Sequence, residues 1–323
     1  MSVTHESGLP SFSIVLETEN LDTAAAQELA RCLEALTKQD LDVARANEVL
    51  LLDSGDVPPE LYTCLRTDYP WLQVHRIRPD TGYYDAKMQG AALASGEVVI
   101  LCDSDCDYER GWLRNILMPF QQSDVQVVAG ETTLAANGPY GVAMAATYIF
   151  PRFSGEEGLY SGSGYYCNNV AFRRAFLLEH PIPSPLPIYR GNCVVHARRL
   201  RQAGHTIWRQ GRARGVHQIP NGAAHFFWRF LLLGSEALAL ARLSDGLYET
   251  KARLPRLLRE LGLGLRIGAG KLSSSLKKLL LVIREDPRRL IDLPLALPIA
   301  LTSSLLYCVG LFLDYCSPGY LLA

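Results

Sequence analysis

Residues 96–107 read GEVVILCDSDCD, and this stretch decides the fold. The apolar run at 98–102 is mostly β-branched. Such a run is typical of a strand buried on both faces of a parallel sheet. It stops abruptly at three carboxylates in alternate positions, Asp103, Asp105 and Asp107. The stretch therefore predicts a central strand with an acidic end.

The three aspartates have two interpretations. Ligands of open α/β sheets bind beyond the carboxyl ends of the strands, and carboxylates crowded there repel one another unless a cation neutralises them. A hard divalent ion shared with phosphate oxygens suits such a place, which gives a metal–diphosphate site. The alternative is an acidic loop that caps the next helix, with Asp107 near the N-cap of a helix beginning around Glu109. The aspartates alone leave both open.

The residues before this strand alternate between strand and helix patterns. Strands are predicted at 12–16, 48–52, 72–77 and 98–102, with helices after Asp22, near 60–67 and from Gly82 to Ala94. Connections of helical length imply a parallel, right-handed, doubly wound sheet. Three strands end in carboxylates, namely Glu17 with Glu19, Asp53, and Asp103 with Asp105. These ends are expected to line one crevice.

The pattern continues beyond the central strand. A helix at 110–122 and a strand at 125–129 are predicted to extend it, followed by helices at 170–179 and 190–203 and strands at 206–208 and 213–217. A looser segment at 137–169 is rich in Gly, Tyr and Asn. This segment either covers a polar substrate or is a loop with a structural role only.

Composition places the chain among globular proteins. It has 323 residues, 48% of them apolar and 20% charged, which allows a sizeable core and argues against disorder. Its eight cysteines are scattered without a CxxC pair, so a buried, reduced, cytoplasmic set is expected rather than disulfides or a zinc site. The first ten residues lack a basic start and an apolar stretch, so no signal peptide is predicted.

The C-terminal part has a different character. Residues 225–243 are strongly apolar, and 254–283 alternate Leu-rich patches with Arg and Lys, a basic amphipathic pattern suited to a membrane surface. Between residues 251 and 289 there are eleven Lys or Arg against three Asp or Glu. This charge suits an anionic membrane or a nucleic acid. The Leu density and the lack of interleaved aromatics favour the membrane and argue against nucleic acid.

A membrane span is predicted near the C-terminus. Residues 293–313 are 21 residues without a charge, enough to cross ~30 Å of hydrocarbon at ~1.5 Å per residue. A buried helix and a re-entrant insertion bent near Pro298 are the alternatives. The basic Arg288 and Arg289 place the preceding side, with the catalytic domain, in the cytoplasm. The predicted division is a catalytic domain at 1–224, interfacial basic helices at 225–289 and a hydrophobic helix at 290–323.

Several stretches in order resemble family 2 glycosyltransferases, the inverting enzymes with the GT-A fold. They are FSIVLETEN from Phe12, VLLLDSGD from Val49, GYYDAKMQGAALASGEVVILCDSD from Gly82, NNVAFRR from Asn168 and RLRQAGHTIW from Arg199. The resemblance covers roughly residues 10–235. It implies an α/β fold of the GT-A type, with a Rossmann-like, mostly parallel sheet flanked by helices, followed by the membrane-associating helical region.

The resemblance also implies roles for individual residues. The nucleotide-sugar would be contacted by Glu17, Glu19, Asp53, Lys87, Asp103 and Asp105, where Lys87 replaces a frequent Arg and Glu17 and Glu19 replace a Pro and an aromatic residue. A divalent cation, Mg or Mn, would be held by Asp103, Asp105 and His217. His217 matches the late histidine that serves as a metal ligand in many GT-A enzymes.

The sequence departs from the family where the general base is expected. The family has a Glu-Asp pair six or seven residues before the position of Arg199, and this chain has Asn192 and Cys193 there. Asn does not titrate, and an ordinary Cys has a pKa of ~8.5. Three explanations stay open. The acceptor is already anionic, another carboxylate such as Glu131 or Asp107 reaches in, or Arg190 activates Cys193.

The function implied is transfer of a sugar from a nucleotide-sugar, by resemblance a UDP-sugar, to a lipid, lipid-phosphate or envelope-glycan acceptor at a membrane. Two alternatives remain. A nucleotidyltransferase also uses acidic strand ends and a metal, although no Gly-rich phosphate loop follows the first strand. A non-catalytic relative that binds nucleotide would explain the missing Glu-Asp pair.

Overall fold

The computed structural model of the chain describes residues 8–18, 25–55, 57–245 and 253–322. The predicted nucleotide contact Glu19 lies outside these residues, as does Asp22, which the sequence predicts as a cap of the first helix. The strands are β1 (Phe12–Glu17), β2 (Val49–Asp53), β3 (Leu72–Arg76), β4 (Val98–Cys102), β5 (Cys106–Tyr108), β6 (Val127–Leu134), β7 (Leu159–Gly162), β8 (Asn169–Arg173) and β9 (Ile207–His217). The helices are α1 (Ala25–Thr37), α2 (Pro59–Asp68), α3 (Tyr83–Leu93), α4 (Trp112–Leu117), α5 (Gly138–Thr147), α6 (Arg174–Glu179), α7 (Asn192–Gln202), α8 (Gly222–Asp245), α9 (Arg253–Glu285) and α10 (Leu293–Cys316).

The strands form one mixed sheet in the order β3-β2-β1-β4-β8-β6-β9-β5, with β7 added beside β9. The four N-terminal strands are parallel, with Val15 beside both Leu50 and Leu101. Strand β8 is antiparallel to both β4 and β6, and β5 and β7 are antiparallel to β9. The predicted GT-A class of fold is confirmed, but the sheet is parallel only in its first half.

The parallel half forms because its strands carry apolar side chains on both faces. Every residue of β1, β2 and β4 is buried. Helix α3 packs directly on this sheet at Gly90, where an added Cβ would lie 2.3 Å from Val15 Cγ1. The glycine therefore allows the helix to approach the strand closely, and the rest of α3 is fixed above the ends of β1 and β4.

The structure corrects four local predictions. The segment 170–179, predicted as a helix, is strand β8 followed by the short helix α6, because Val170 to Arg173 completes the sheet beside β4. The looser segment 137–169 contains helix α5 and strand β7. The helix predicted at 110–122 is only α4 followed by a 3-10 turn, and the two strands predicted at 206–208 and 213–217 are one strand, β9.

All eight cysteines are free, as predicted, but they are not uniformly buried. Cys64, Cys308 and Cys316 are exposed, and the other five are buried. The expected reduced state is consistent with this arrangement, since none of the eight is paired.

The chain divides into two compact units. Unit 1 comprises Met1–Thr132, Phe153–Ser184 and Asn192–Gln218, and unit 2 comprises Thr133–Arg152, Pro185–Gly191 and Ile219–Ala323. Unit 1 holds the parallel strands and their flanking helices. Unit 2 holds α5, α8, α9 and α10. The three-part division predicted from the sequence stays a prediction.

Unit 2 is held together by close helix packing and buried charges. An added Cβ at Gly234 of α8 would lie 1.9 Å from the Tyr307 carbonyl oxygen, and one at Gly310 of α10 equally close to the Leu231 oxygen. Arg242 is fully buried and pairs with Glu260 at 2.9 Å and with Asp314. These contacts join α8, α9 and α10.

One stretch has the length and composition of a membrane span. Pro287–Cys316 is 30 residues long and contains an 18-residue window with a mean hydropathy of 1.9, of which 22% is buried inside the protein. The buried residues of α10 include Ser303, Tyr307 and Gly310 on one stripe, while leucines such as Leu301 and Leu305 are exposed. The helix therefore presents most of its apolar surface outward.

Candidate active site

Three carboxylates lie at the ends of adjacent parallel strands in unit 1. Glu17 ends β1 and Asp53 ends β2, while Asp103 follows β4 directly. In the register of β1 and β4, Val15 is paired with Leu101, so Glu17 and Asp103 follow at equivalent positions. The chain order of the strands reverses between β1 and β4, and such a switch point is where open α/β sheets bind ligands. The predicted meeting of the acidic strand ends therefore occurs at the expected position.

A buried lysine lies between two of these carboxylates. Lys87 of α3 is fully buried, and its Nζ donates to Asp103 Oδ1 at 2.7 Å and to the Cys102 carbonyl oxygen. Burial lowers the pKa of Lys87, but the charges of Asp103 and Glu17 outweigh it and the pKa is raised overall. Burial raises the pKa of Asp103, and Lys87 reverses this effect, so the Asp103 pKa is lowered. Lys87 and Asp103 therefore both stay ionised, and the ammonium group of Lys87 is enclosed by protein.

Tyr83 completes this cluster. Its hydroxyl donates to Asp103 Oδ1 at 2.7 Å. Sequence reasoning missed Tyr83, although its position four residues before Lys87 on α3 places both side chains on one helix face. With two donors on the same oxygen, the orientation of Asp103 is fixed by α3.

Asp53 is buried and its carboxylate organises the turn after β2. Oδ1 accepts from the backbone N–H of Gly55 at 2.9 Å and of Val57 at 3.2 Å. Oδ2 accepts from the Tyr62 hydroxyl, and Arg76 Nε lies 3.5 Å away. The side chain therefore holds Gly55 and Val57 in place at the edge of the crevice.

Asp105 and His217 come together because β5 pairs with the end of β9. Cys106 is opposite His217 in this antiparallel pair, and Asp105 Oδ2 lies 3.3 Å from His217 Nε2. His217 Nδ1 lies 2.5 Å from the Gln218 carbonyl oxygen. A carbonyl oxygen can only accept, so Nδ1 donates this bond, and Nε2 is the ring nitrogen directed toward Asp105. Metal-binding histidines usually donate such a hydrogen bond from the ring nitrogen that does not contact the metal.

The donor set at this place fits a divalent cation. Among the described residues, Asp105, Cys106 and His217 have ligand atoms within 4.8 Å of one another. Two ligands bound at ~2.1 Å to one octahedral ion lie ~3 Å apart, close to the observed carboxylate–imidazole distance. Oxygen and imidazole ligands suit Mg or Mn. Burial, followed by the charge of Asp105, raises the pKa of the Cys106 thiol, which disfavours the thiolate that a softer metal would require.

Two of the three aspartates are not members of this ligand group. Asp103, predicted as a ligand, is held by Lys87 and Tyr83 and is not among the three clustered residues. Asp107 lies within β5, and α4 begins only at Trp112 after Gly111, so the alternative in which Asp107 caps that helix is wrong. Since strand side chains alternate, Asp107 faces opposite to Cys106.

The residues predicted to replace the general base in unit 1 are engaged in structural contacts. Asn192 begins α7 and is buried, and its Nδ2 donates to the Pro183 carbonyl oxygen at 2.7 Å. The Cys193 sulfur accepts from the Tyr84 hydroxyl at 3.6 Å. Glu131 is buried, and its oxygens accept from the Tyr160 hydroxyl at 2.7 Å and the Ser154 N–H at 3.1 Å.

Arg190 belongs to unit 2. Its guanidinium lies over the Tyr189 ring at 5.4 Å, and its backbone N–H donates to Glu236 of α8. Burial raises the pKa of Glu236. Sequence reasoning missed Glu236, since a single carboxylate within an apolar helix gives no pattern that identifies its partner.

The sheet, the switch-point cluster and the carboxylate–imidazole pair together define a GT-A glycosyltransferase. Residues 14–180 match the family model "Glycosyl transferase family 2", and the chain belongs to this family. A segment of 119 residues is 28% identical to "Polypeptide N-acetylgalactosaminyltransferase 8" of Drosophila melanogaster, covering 36% of this chain and 20% of that protein. The chain thus spans about a fifth of the length of this relative.

Two solved structures share the fold. A mannosyltransferase, PcManGT from Pyrobaculum calidifontis, in complex with GDP-Man and Mn²⁺, superposes with a TM-score of 0.60 at 15% identity, covering 96% of this chain and 88% of that one. GalNAc-T7 with UDP, GalNAc and Mn²⁺ superposes with a TM-score of 0.54 at 16% identity, covering 67% of this chain and 44% of that one. At these identities the likeness establishes the fold alone.

Proposed function

We propose that this chain is an inverting, metal-assisted glycosyltransferase that moves a sugar from a UDP-sugar to a lipid-phosphate acceptor at the cytoplasmic face of a membrane. The observation that carries the proposal is the 3.3 Å approach of Asp105 Oδ2 to His217 Nε2 beside the crevice at the ends of β1 and β4. A carboxylate and an oriented imidazole at this position suit a cation that also binds a diphosphate.

On the donor side, we assign the acidic residues at the strand ends of unit 1 to binding of the nucleotide. Asp53 and Glu17 contact the base and ribose, with Asp53 held in place by its turn. Lys87 keeps Asp103 ionised and oriented toward the crevice. UDP is supported by the family resemblance and by the UDP in the GalNAc-T7 structure, whereas the PcManGT structure carries GDP-Man, so the assay below compares donors with different bases.

Asp105 and His217 would hold Mg or Mn. When bound, the cation neutralises the charge that develops on the departing nucleoside diphosphate. The chain's own contribution is the fixed position of the two ligands, which comes from the β5–β9 pairing and the Nδ1–Gln218 hydrogen bond. The acceptor oxygen attacks the anomeric carbon from the face opposite the leaving diphosphate, which inverts that carbon.

On the acceptor side, the contacts favour a nucleophile that needs no base. Asn192 cannot titrate, and Cys193 is bonded to the Tyr84 hydroxyl. Both oxygens of Glu131 accept hydrogen bonds, and Asp107 Oδ2 accepts from Gln218 Nε2 at 3.1 Å. A phosphate oxygen is already anionic, so an acceptor of this kind can attack without a general base. A phosphate on a lipid also suits a chain with a candidate membrane span.

Membrane association on the cytoplasmic side rests on the C-terminal helices. The exposed basic residues of α9 include Arg259, Arg266, Lys277 and Arg284. Basic residues beside apolar surface suit the anionic cytoplasmic leaflet. The interfacial helices at 225–289 and the hydrophobic helix at 290–323 are proposed as the anchor of the catalytic domain at 1–224.

The test is a release assay on detergent-purified protein with Mn²⁺. UDP-, GDP- and dTDP-sugars are offered with a lipid extract, with the same extract after phosphatase treatment, and without lipid, and free nucleoside diphosphate is quantified. We expect release from one donor, dependent on the untreated extract. Asp105→Asn should lose it, and Asp80→Asn, a change at an exposed carboxylate, should keep it.

The other two functions predict different products. Pyrophosphate release from a nucleoside triphosphate would identify a nucleotidyltransferase. UDP binding without turnover of any donor would identify a non-catalytic relative. Equal release from phosphatase-treated extract would contradict the lipid-phosphate acceptor while leaving the transferase intact.

A further inference from the structure

A groove in unit 2 runs between α9 and α10. Its volume is about 560 Å³, within the ~300–1,000 Å³ of small-molecule sites. Its walls include Leu265 and Leu272 of α9 and Leu311 and Phe312 of α10, and Gly268 faces the space with no atom within 4 Å of the position of an added Cβ. The groove therefore has unfilled space next to Gly268.

The charged residues that line the groove are directed to other partners. Lys271 Nζ donates to the Thr147 carbonyl oxygen, and Glu260 Oε2 accepts from Arg242 at 2.9 Å. The surface left to an occupant is consequently apolar. No protein segment among the described residues covers Leu265 and Phe312, which are 68% and 61% exposed.

The surroundings of the groove indicate what covers it. Helix α9 is 33 residues long, or ~50 Å, and exposes a row of leucines along its length: Leu258, Leu261, Leu265, Leu272, Leu276 and Leu280. About a quarter turn from the leucine row, on its side away from the groove, run the exposed Arg259, Arg266, Lys277 and Arg284, spaced by seven and eleven residues, so a lipid that enters the groove crosses the leucine row to reach them. Apolar and basic rows side by side match the hydrocarbon and the acidic headgroups of a bilayer.

We infer that the groove between α9 and α10 holds an acyl chain of an anionic phospholipid, whose headgroup lies against the basic row of α9. The groove would bind one bilayer lipid as a discrete ligand, beyond the general contact of the leucine row with the membrane. The inference rests on the membrane association in the proposed function and does not depend on the sugar-transfer activity.

Binding is tested by native mass spectrometry of the full chain in a non-ionic detergent. The probes are dioleoyl phosphatidylglycerol, dioleoyl phosphatidylcholine, which lacks the net charge, and dihexanoyl phosphatidylglycerol, which lacks the long chains. We expect one retained dioleoyl phosphatidylglycerol, with at least about tenfold weaker binding of each of the other two. Equal binding of the short-chain lipid, or a protein dimer that excludes lipid, would overturn the inference.

The position of the lipid is tested by a steric plug. An added Cβ at Gly268 meets no atom within 4 Å, so Gly268→Leu can extend into the groove, and Gly262→Leu makes the same change on α9 outside the groove, also with no atom within 4 Å of the Cβ. We expect Gly268→Leu to lose the retained lipid and Gly262→Leu to keep it. Retention by Gly268→Leu would place the lipid elsewhere.

A labelling experiment on the unmodified chain tests the same position without relying on the folding of a variant. Cys308 lines the groove and is exposed, while Cys316 on the same helix is exposed and outside it. We expect dioleoyl phosphatidylglycerol to slow maleimide labelling of Cys308 and not of Cys316. Unchanged labelling of Cys308 would overturn the inference.

Flotation with equimolar phosphatidylcholine and phosphatidylglycerol vesicles separates this inference from the proposed function. If the wild-type chain floats and the lipid is not in the groove, membrane association stands and the inference fails. If the wild-type chain does not float, the membrane part of the proposed function fails, and the inference that rests on it is overturned as well.

Discussion

Replacing Lys87 with Met tests the switch-point cluster most severely. Met has a similar length and fits an apolar enclosure, so the change removes the charge and little volume. Lys87 is fully buried and donates to Asp103 at 2.7 Å. In Lys87→Met, the buried carboxylates of Asp103 and Glu17 lose their shared cation, and the Cys102 carbonyl oxygen loses its described donor.

Lys87→Met is expected to lower the free energy of unfolding by much more than the loss of a surface ion pair would. Removing one partner of a buried pair costs about 3–5 kcal/mol, because the other charge stays buried without compensation. The total stability of a domain is ~5–15 kcal/mol. The matched control is Lys38→Met, which removes the exposed pair of Lys38 with Glu34 at i,i+4 on α1 and should cost ~0.2–0.5 kcal/mol.

The assay is urea unfolding followed by tryptophan fluorescence, for which Trp112, buried in unit 1, is a suitable reporter. Lys87→Met should lower the free energy of unfolding several-fold more than Lys38→Met. Adding Asp103→Asn should recover part of the loss, since it removes one of the uncompensated charges. A loss below about 1 kcal/mol in Lys87→Met, or no recovery in the double variant, would refute the account of the cluster.

Two further predictions concern stability. Burial lowers the pKa of His196 from 6.5 to about 4, and its ring bonds to the Tyr165 hydroxyl and the His180 carbonyl oxygen. Since the unfolded chain takes up this proton below pH 6.5 and the folded chain only near pH 4, stability should fall by up to about 3 kcal/mol as the pH drops through that window. Urea unfolding from pH 7 to pH 4 should show a smaller drop in His196→Asn, and an unchanged drop would contradict this assignment. In unit 2, Gly310→Ala places a Cβ 1.9 Å from the Leu231 carbonyl oxygen and should cost about 1–3 kcal/mol. Gly270→Ala meets no atom and should stabilise α9 by ~0.5–1 kcal/mol. Thermal unfolding in detergent tests this pair of variants, and equal melting temperatures would mean that α8 and α10 are not tightly packed there.

The parts of the fold that follow from local pattern were predicted well. The apolar runs of β1, β2 and β4 are buried on both faces and were recognisable without knowledge of their partners. Their carboxylate ends indicated the crevice for the same reason. The helical spacing of α3 also placed Lys87 correctly within a helix.

The errors concern features that depend on distant partners. Val170 to Phe172 is a short apolar run compatible with a helix or a strand, and its pairing with β4, some 70 residues earlier in the chain, makes it β8. The antiparallel pairings in the second half of the sheet also depend on partners that are distant in the chain. The sequence could not show that both oxygens of Glu131 are occupied or that Glu236 meets the Arg190 N–H, because these contacts are made by the folded backbone.

The measurement that tests the central claim most directly is the Mn²⁺ dependence of UDP affinity, measured by titration calorimetry on the detergent-purified chain. If Asp105 and His217 hold a cation on the diphosphate, Mn²⁺ should tighten UDP binding by at least about tenfold, or ~1.4 kcal/mol. Asp105→Asn and His217→Gln should each abolish that tightening, while Asp80→Asn should preserve it. Equal UDP affinity with and without Mn²⁺ in the wild-type chain would contradict the claim.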